Sequence, residues 1–96
     1  MLKLTIRPLA KSDIKKIWRY SHDKWGKRQA DKYTTEIGHS IQKLMNKPEQ
    51  GKNINTIREG YRQLAVQQHL VIYRLTEEEI DIVRVLSKRM NIERHF

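Results

Sequence analysis

The chain of 96 residues has no cysteine, only two prolines and four glycines, and few aromatic residues. Without cysteine there is no disulfide bond and no thiol nucleophile. No run of 18 apolar residues is present, so the sequence predicts no transmembrane helix. The first residues, MLKLTIRPLAK, lack the apolar segment of a signal peptide, and we therefore expect a cytoplasmic protein.

Two kinds of chemical site are missing as well. The four histidines show no metal-ligand spacing with cysteine or with one another, so we expect no metal site. No glycine-rich phosphate-binding loop is present, so we expect no intrinsic use of ATP. The sequence gives no reason to expect any cofactor.

Acidic residues are a minority, with 11 Asp and Glu against 20 Lys and Arg and a formal net charge of +9. Such an excess on a small domain favours polyanionic partners: nucleic acid, a complex that holds nucleic acid, or an acidic protein. The alternative is a basic protein that is merely soluble. Residues 3–32 carry ten basic and three acidic side chains, so the charge is concentrated in the first third of the chain.

The first half of the chain predicts a short strand and two helices. Leu2, Leu4 and Ile6 alternate with polar residues, as in a half-buried strand that ends at Pro8. Ser12 is the expected N-cap of the first helix, and Gly26 ends that helix. The second helix is expected to run from Lys27 to about Lys47, because Pro48 follows. With almost no loop between them, the helices should form an antiparallel hairpin.

The second half predicts three strands. They are Tyr61–Val66, a largely apolar central strand at His69–Leu75, and an alternating strand at Ile80–Leu86. Strict alternation would place Ile80, Ile82, Arg84 and Leu86 on one face of the last strand. Gln67 and Gln68 make a poor two-residue turn, so we expect a bulge or wider bend there. In the loop of residues 48–57, Ile54 and Ile57 should reach the core.

The expected element order is β-α-α-β-β-β, followed by a short C-terminal turn or helix capped by Asn91. The three late strands form an antiparallel meander, the first strand joins them, and the helical hairpin packs on one face. The fold class is α+β, and residues 1–96 are expected to form one domain.

The residues in this order resemble a known family. They are Trp25-Gly26, Gln29-Ala30, Tyr33, Pro48 to Gly51, Gly60-Tyr61-Arg62, His69, Ile72-Tyr73-Arg74, Ile82, Arg84-Val85-Leu86 and Arg89-Met90. Together with the length and the charge, this arrangement is similar to the ParE branch of the RelE/ParE toxin superfamily. No single motif is diagnostic, and the resemblance rests on the joint order and spacing over nearly the whole chain.

The resemblance implies the toxin of a type II toxin–antitoxin pair. It implies a ParD-like antitoxin that wraps an acidic, amphipathic C-terminal segment around the toxin. ParE-branch toxins are poisons of DNA gyrase, whereas RelE-branch toxins cut messenger RNA on the ribosome. A third possibility is a non-toxic relative that only binds its antitoxin.

The residue after the last strand bears on the choice between the branches. RNA cleavage needs a group that activates the ribose 2′-hydroxyl and a group that protonates the leaving oxygen. Ser87 stands where many relatives of both branches have histidine, and a serine does not titrate near neutrality. His69 and Tyr73 lie on the central strand, where packed, hydrogen-bonded roles are expected. We therefore favour a gyrase poison without catalytic residues, with the endoribonuclease as the alternative.

Two sets of binding residues are expected. Cations near the end of the last strand, with one apolar neighbour, are candidates for gripping gyrase or the DNA that it holds: Arg84, Lys88, Arg89, Met90 and Arg94. Alternatively, they form a solvated basic rim. Within the tail, Met90, Ile92 and Phe96 are expected to fold back as a lid rather than form a contact patch.

The expected antitoxin contacts are Trp18, Trp25, Arg62, Arg74 and Arg84. Both tryptophans lie on the apolar stripe of the first helix, where core packing is favoured over anchoring a partner. Arg84 shares its face with apolar residues and so needs a carboxylate, either from the antitoxin or from within the chain.

Overall fold

A computed structural model describes residues 2–95, which form a helical hairpin and one five-stranded sheet. Two short 3-10 turns lie at Pro48–Gln50 and Ile92–His95. The regular elements are β1 (Lys3–Ile6), α1 (Pro8–Trp25), α2 (Lys27–Lys43), β2 (Lys52–Asn53), β3 (Tyr61–Val66), β4 (His69–Leu75) and β5 (Glu79–Ser87).

The strands are ordered β1-β5-β4-β3-β2 across the sheet. Strands β3, β4 and β5 form the expected antiparallel meander, and β4 is central. Strand β1 pairs in parallel with β5, and the two-residue β2 adds an edge strand on β3 that the sequence did not predict. The predicted α+β class is confirmed, because a hairpin of two helices packs on one face of a largely antiparallel five-stranded sheet.

The sheet separates two apolar clusters, which explains why β4 is apolar along most of its length. On the hairpin side, Val71 and Tyr73 pack with Ile37 and Ile41 of α2. On the other face, Ile72 packs with Ile54 and residues of the neighbouring strands. Val71, Ile72 and Tyr73 are completely buried, so β4 is covered on both faces as predicted.

A bulge in β5 breaks the predicted alternation. Tyr73 pairs with Ile82 and Ile72 pairs with Arg84, so Val83 is an extra residue in β5. Ile80 and Ile82 therefore belong to the hairpin-side cluster together with Val85, whereas Val83 and Leu86 belong to the opposite cluster. The prediction that Ile80, Ile82, Arg84 and Leu86 share one face was wrong for this reason.

Both helix boundaries differ from the prediction. Helix α1 begins at Pro8 with Arg7 as its N-cap, so Ser12 lies inside the helix rather than capping it. Proline suits the first helical position because its missing N–H would have no intrahelical partner there. Helix α2 ends at Lys43, a turn before the predicted Lys47. Gly26 joins the two helices with a φ of 89°, a conformation that favours glycine.

Two loop predictions also need correction. Ile54 is buried as expected, but Ile57 is exposed, so of these two isoleucines only Ile54 packs into the core. Val66 pairs with His69, so Gln67 and Gln68 form a tight two-residue turn instead of a wider bend. Gln67 adopts the positive φ of 52° that such a turn requires.

The C-terminal turn closes over the sheet face that lies opposite the hairpin. Glu93 donates its backbone N–H to the Asn91 side-chain oxygen at 3.0 Å, which confirms Asn91 as the cap. Ile92 packs on the opposite cluster as a lid, whereas Met90 is exposed and does not. Phe96 lies outside the described residues. Within residues 2–95, no helix has the length and apolar character needed to cross a membrane.

Candidate functional site

A groove of about 940 Å³ runs between the helical hairpin and the ends of the late strands. We call it the hairpin groove. It is lined by residues of α1, by the start of α2, by the turn between β3 and β4, and by the end of β5 with the chain that follows it. Short connections bring these segments together: Gly26 folds α2 back on α1, and the two-residue turn places His69 beside Tyr33.

An aromatic lip forms the outer rim of the hairpin groove. Tyr20 is 58% exposed and Trp25 is 61% exposed, and their rings meet edge-on at 6.3 Å. The Lys24 ammonium lies 5.2 Å from the Tyr20 ring centroid and 5.6 Å from that of Trp25. The predicted core packing of Trp25 was wrong, because the last turn of α1 overhangs the groove instead of the sheet. Nearby, Met90 adds an exposed apolar side chain.

The uncompensated charge along the hairpin groove is positive. Lys16, Lys24 and Arg89 line it, and none of them forms an ion pair with a carboxylate in residues 2–95. Asp13 is the acidic residue among the described lining residues, and Arg84 neutralises it. The groove therefore offers apolar rings and unpaired cations together, which suits an acidic amphipathic ligand.

The floor of the hairpin groove is polar. The Tyr33 hydroxyl and the His69 Nδ1 atom are 2.5 Å apart, and the two rings lie at 5.5 Å. Burial raises the pKa of Tyr33 and lowers the pKa of His69, so both are neutral at pH 7. His69 pairs across the strands with Ser87, and both residues line the groove.

Arg84 makes an internal ion pair instead of a free contact surface. Its Nε and Nη2 atoms donate to the two oxygens of Asp13 at 2.8 and 2.9 Å, and its side chain is 18% exposed. This hydrogen bonding raises the pKa of Arg84. Asp13 also accepts the backbone N–H of Val85 at 2.9 Å. The carboxylate that Arg84 was expected to need thus comes from within the chain.

The predicted target-contact residues do not all lie at the hairpin groove. Arg89 and Met90 line the hairpin groove, and Arg84 lies beside it through Asp13. Lys88 and Arg94 are exposed on the chain that follows β5. As contacts, all five remain predictions.

The predicted antitoxin contacts are scattered. Trp18 donates to Asp31 at 2.8 Å and stacks on His22, which joins α1 to α2. Arg62 donates to the carbonyl oxygen of Gly51 at 2.9 Å and so holds the loop before β2. Arg74 is exposed on β4, opposite Tyr61. Of the five, Trp25 alone is among the residues that line the hairpin groove in the described chain.

Sequence reasoning missed the aromatic partner and the polar floor. Tyr20 and Lys24 are four residues apart on α1, a spacing that places their side chains next to each other on one face of the helix, close to its end at Trp25. That signal was readable once Trp25 was taken as exposed. The meeting of Tyr33 with His69 depends on tertiary packing, and no spacing in the sequence indicates it.

The sequence comparisons place this chain among known toxins. The family model described as the ParE toxin of the type II toxin–antitoxin system, parDE, matches residues 4–92. The chain belongs to the ParE toxin family. Toxin ParE1 of Mycobacterium tuberculosis is 38% identical over 91 residues, covering 94% of this chain and 93% of that protein. Toxin ParE1 of Caulobacter vibrioides is 37% identical over 86 residues, covering 90% and 88%.

Solved structures of related toxins show the same fold as this ParE-family chain. A structure of the chromosomal ParDE TA system from P. aeruginosa matches with a TM-score of 0.80 at 22% identity, covering 91% of this chain and 96% of that one. YafQ from E. coli matches with a TM-score of 0.63 at 13% identity, covering 92% and 94%. At these identities the likeness extends to the fold and no further.

Proposed function

We propose that this ParE-family toxin inhibits DNA gyrase through direct protein contact and is neutralised by a ParD-like antitoxin. The observation that carries the proposal is the hairpin groove, where an exposed aromatic lip borders cations that have no carboxylate partner in residues 2–95. The encounter with gyrase would take place in the cytoplasm, and any contact with DNA would be made through DNA that gyrase holds.

The groove supports an acidic, amphipathic antitoxin segment as its occupant. Tyr20, Trp25 and Met90 offer apolar area that water now covers, and exposed rings of this kind are common anchors in interfaces. Lys16, Lys24 and Arg89 would attract acidic side chains on the other face of the segment. A ParDE complex is among the structures with this fold, which supports the choice of a ParD-like partner.

The proposed gyrase contact is the basic chain that leaves β5, with Lys88, Arg89 and Met90 at its centre. Arg89 and Met90 also line the hairpin groove, so an antitoxin bound there would cover part of the gyrase contact. Neutralisation would then follow from direct occlusion. Ser87 in place of a titratable side chain supports inhibition by binding over cleavage of RNA.

The purified toxin is expected to block supercoiling by gyrase or to stabilise gyrase–DNA cleavage complexes. Arg89→Ala should weaken this inhibition about tenfold or more, since a charged contact is worth roughly 1.5–3 kcal/mol. Supercoiling assays across a range of toxin concentrations would measure the shift. Lys43→Ala, an exposed lysine at the far end of α2, is the matched control and should inhibit like the wild type.

The proposal would be overturned in favour of a RelE-like endoribonuclease if the toxin left gyrase activity unchanged and messenger RNA was cut in the ribosomal A site. Clean gyrase assays and intact RNA, with tight antitoxin binding, would identify a relative that is no longer toxic.

We expect the association rate of the antitoxin to depend on the charge of the groove and its dissociation rate to depend on the aromatic lip. Lys16→Ala should slow association a few-fold and reduce its dependence on salt, because it removes a steering charge. Trp25→Ala should speed dissociation about 30-fold, the effect of losing an anchor worth roughly 2 kcal/mol. Stopped-flow or surface-binding kinetics with a purified ParD-like antitoxin would measure both rates.

Leu9→Ala is the matched control for Trp25→Ala, because Leu9 is equally exposed, at 61%, but does not line the groove. An association rate that ignores salt would remove the steering role. Equal dissociation rates for Trp25→Ala and Leu9→Ala would remove the anchor role.

A further inference from the structure

The contacts of Tyr33 indicate which nitrogen of His69 carries the proton. The Tyr33 hydroxyl carries one proton, which it can donate to one acceptor at a time. Two acceptors are near: His69 Nδ1 at 2.5 Å and the Val66 carbonyl oxygen at 3.5 Å. We assign the proton to the much shorter contact, with Nδ1 as the acceptor, which places the hydrogen of the neutral imidazole on Nε2.

That Nε2–H donor has no partner in the part of the chain that the structure describes. Among the described residues, the hydrogen-bond partner of the His69 ring is Tyr33, and this bond is made at Nδ1. No partly or fully buried residue of 2–95 leaves a side-chain nitrogen or oxygen both sealed from solvent and unbonded, so Nε2 reaches solvent. Since His69 lines the hairpin groove, this donor is available to a ligand there.

Ser87 supplies a second donor beside the first. It is the cross-strand partner of His69, and the Cβ atoms of such partners lie roughly 4.5–5.5 Å apart. The Ser87 Oγ atom accepts the backbone N–H of Arg89 at 3.2 Å, which leaves the hydroxyl proton to be donated. Two neutral donors are thus held side by side at the floor of a groove whose unpaired side chains are cationic.

We propose that His69 and Ser87 form a carboxylate-binding pair that receives one Asp or Glu side chain of the antitoxin segment. The inference rests on the proposed antitoxin binding and adds its specificity. A carboxylate has two acceptor oxygens and no proton at neutral pH, which matches two adjacent donors. Arg89 and Lys16 line the same groove and would supply the balancing charge. An apolar side chain at this depth would leave the Nε2–H unpaired, so the floor selects against it.

This role gives a function to Tyr33, His69 and Ser87, which the proposed contact with gyrase does not involve. Tyr33 acts as the positioning residue, because its hydroxyl holds the imidazole in one tautomer and one orientation. Serine at position 87 becomes a ligand-binding residue, where its inability to titrate is no disadvantage. The two parts of the groove then recognise different features of the partner. The aromatic lip binds its apolar side chains, and the polar floor binds one Asp or Glu at one position of its sequence.

The test uses the full chain and a synthetic peptide of the acidic C-terminal segment of a ParD-like antitoxin. His69→Leu should weaken binding by roughly 10- to 100-fold, the range expected for a lost hydrogen bond to a charged group. Ser87→Ala should weaken it by about tenfold, and His69→Gln should recover part of the loss because its amide can donate from a similar distance. Calorimetry measures the affinities, and Lys52→Ala on the distant β2 is the control.

The partner acid is found by changing each Asp and Glu of the peptide to its amide in turn. At one position, the loss should be much smaller in His69→Leu than in the wild-type chain. Histidine ring nitrogen shifts give an independent readout: Nε2–H in the free protein, with a downfield proton on binding, and a mixture of tautomers in Tyr33→Phe.

The two proposals fail in different ways. If the wild-type chain does not bind the peptide, the antitoxin proposal falls. If the wild-type chain binds, but His69→Leu and Ser87→Ala bind equally well, the carboxylate-binding pair is wrong and the antitoxin proposal stands. Thermal unfolding of each variant shows whether it is folded, and the small change in Ser87→Ala keeps the test decisive should His69→Leu unfold.

Discussion

Replacing Asp13 with alanine is expected to lower the free energy of unfolding by about 3–5 kcal/mol, the range found when one partner of a buried ion pair is removed. The Asp13 carboxylate accepts two hydrogen bonds from Arg84 and one from the Val85 backbone, all between 2.8 and 2.9 Å. Its removal leaves a poorly exposed guanidinium without a counter-charge and a backbone N–H without an acceptor. Urea unfolding followed by circular dichroism measures the difference.

A double-mutant cycle measures the interaction free energy between Asp13 and Arg84. Replacing Asp13 and Arg84 together by leucine should recover much of the loss, because two apolar side chains leave no buried charge unpaired. Strictly additive effects of Asp13→Ala and Arg84→Ala would contradict the coupling. The cycle also bears on Arg84 as a binding residue, since a loss of gyrase inhibition that follows the loss of stability is structural in origin.

Gly51→Ala is expected to destabilise the protein by about 2–4 kcal/mol, through overpacking and lost hydrogen bonds. A Cβ atom at this position would lie 2.5 Å from the Tyr73 hydroxyl oxygen and 2.7 Å from a carbon of its ring. Tyr73 cannot easily move away, because its hydroxyl donates to the Pro48 carbonyl at 2.6 Å and accepts the Gly51 N–H at 3.0 Å. The φ of Gly51 is −73°, so the effect is steric.

Gly38→Ala is the matched control and should have the opposite sign. An added Cβ at Gly38 meets nothing within 4 Å, and the position lies inside α2. Alanine favours a helix over glycine by up to about 1 kcal/mol, so this variant should be slightly more stable. Equal urea midpoints for Gly51→Ala and the wild type would mean that Tyr73 does not anchor the loop before β2.

Much of the fold could be read from the sequence because its hydrophobic periods are strong. The alternation at Leu2, Leu4 and Ile6 gave β1, and the apolar run of β4 gave a strand buried on both faces. The bulge at Val83 could not be read, because an extra residue leaves no mark in composition and only shifts which residues face each cluster. The two-residue β2 was missed for a related reason: Lys52 and Asn53 carry no apolar alternation.

The candidate site was less accessible to sequence reasoning. The basic chain after β5 was found from its charge, and Arg89 and Met90 do line the hairpin groove. Trp25 was misplaced because helical periodicity identifies an apolar stripe but does not say where the sheet beneath it ends. The pairing of His69 with Ser87 follows from strand register, which a turn at Gln67 with positive φ fixes and which the residue type did not predict.

The contact of Asp13 with Val85 has a consequence for the solubility of the chain. Strand β1 pairs with β5 as far as Ile82, so among residues 2–95 the outer edge of β5 beyond Ile82 has no strand neighbour. Unpaired strand edges invite pairing with strands of other molecules, which leads to aggregation. At Val85 the backbone N–H on this edge is buried and donates to the Asp13 carboxylate. An incoming strand would have to displace the Asp13 side chain from its hydrogen bonds, which disfavours strand pairing at this edge.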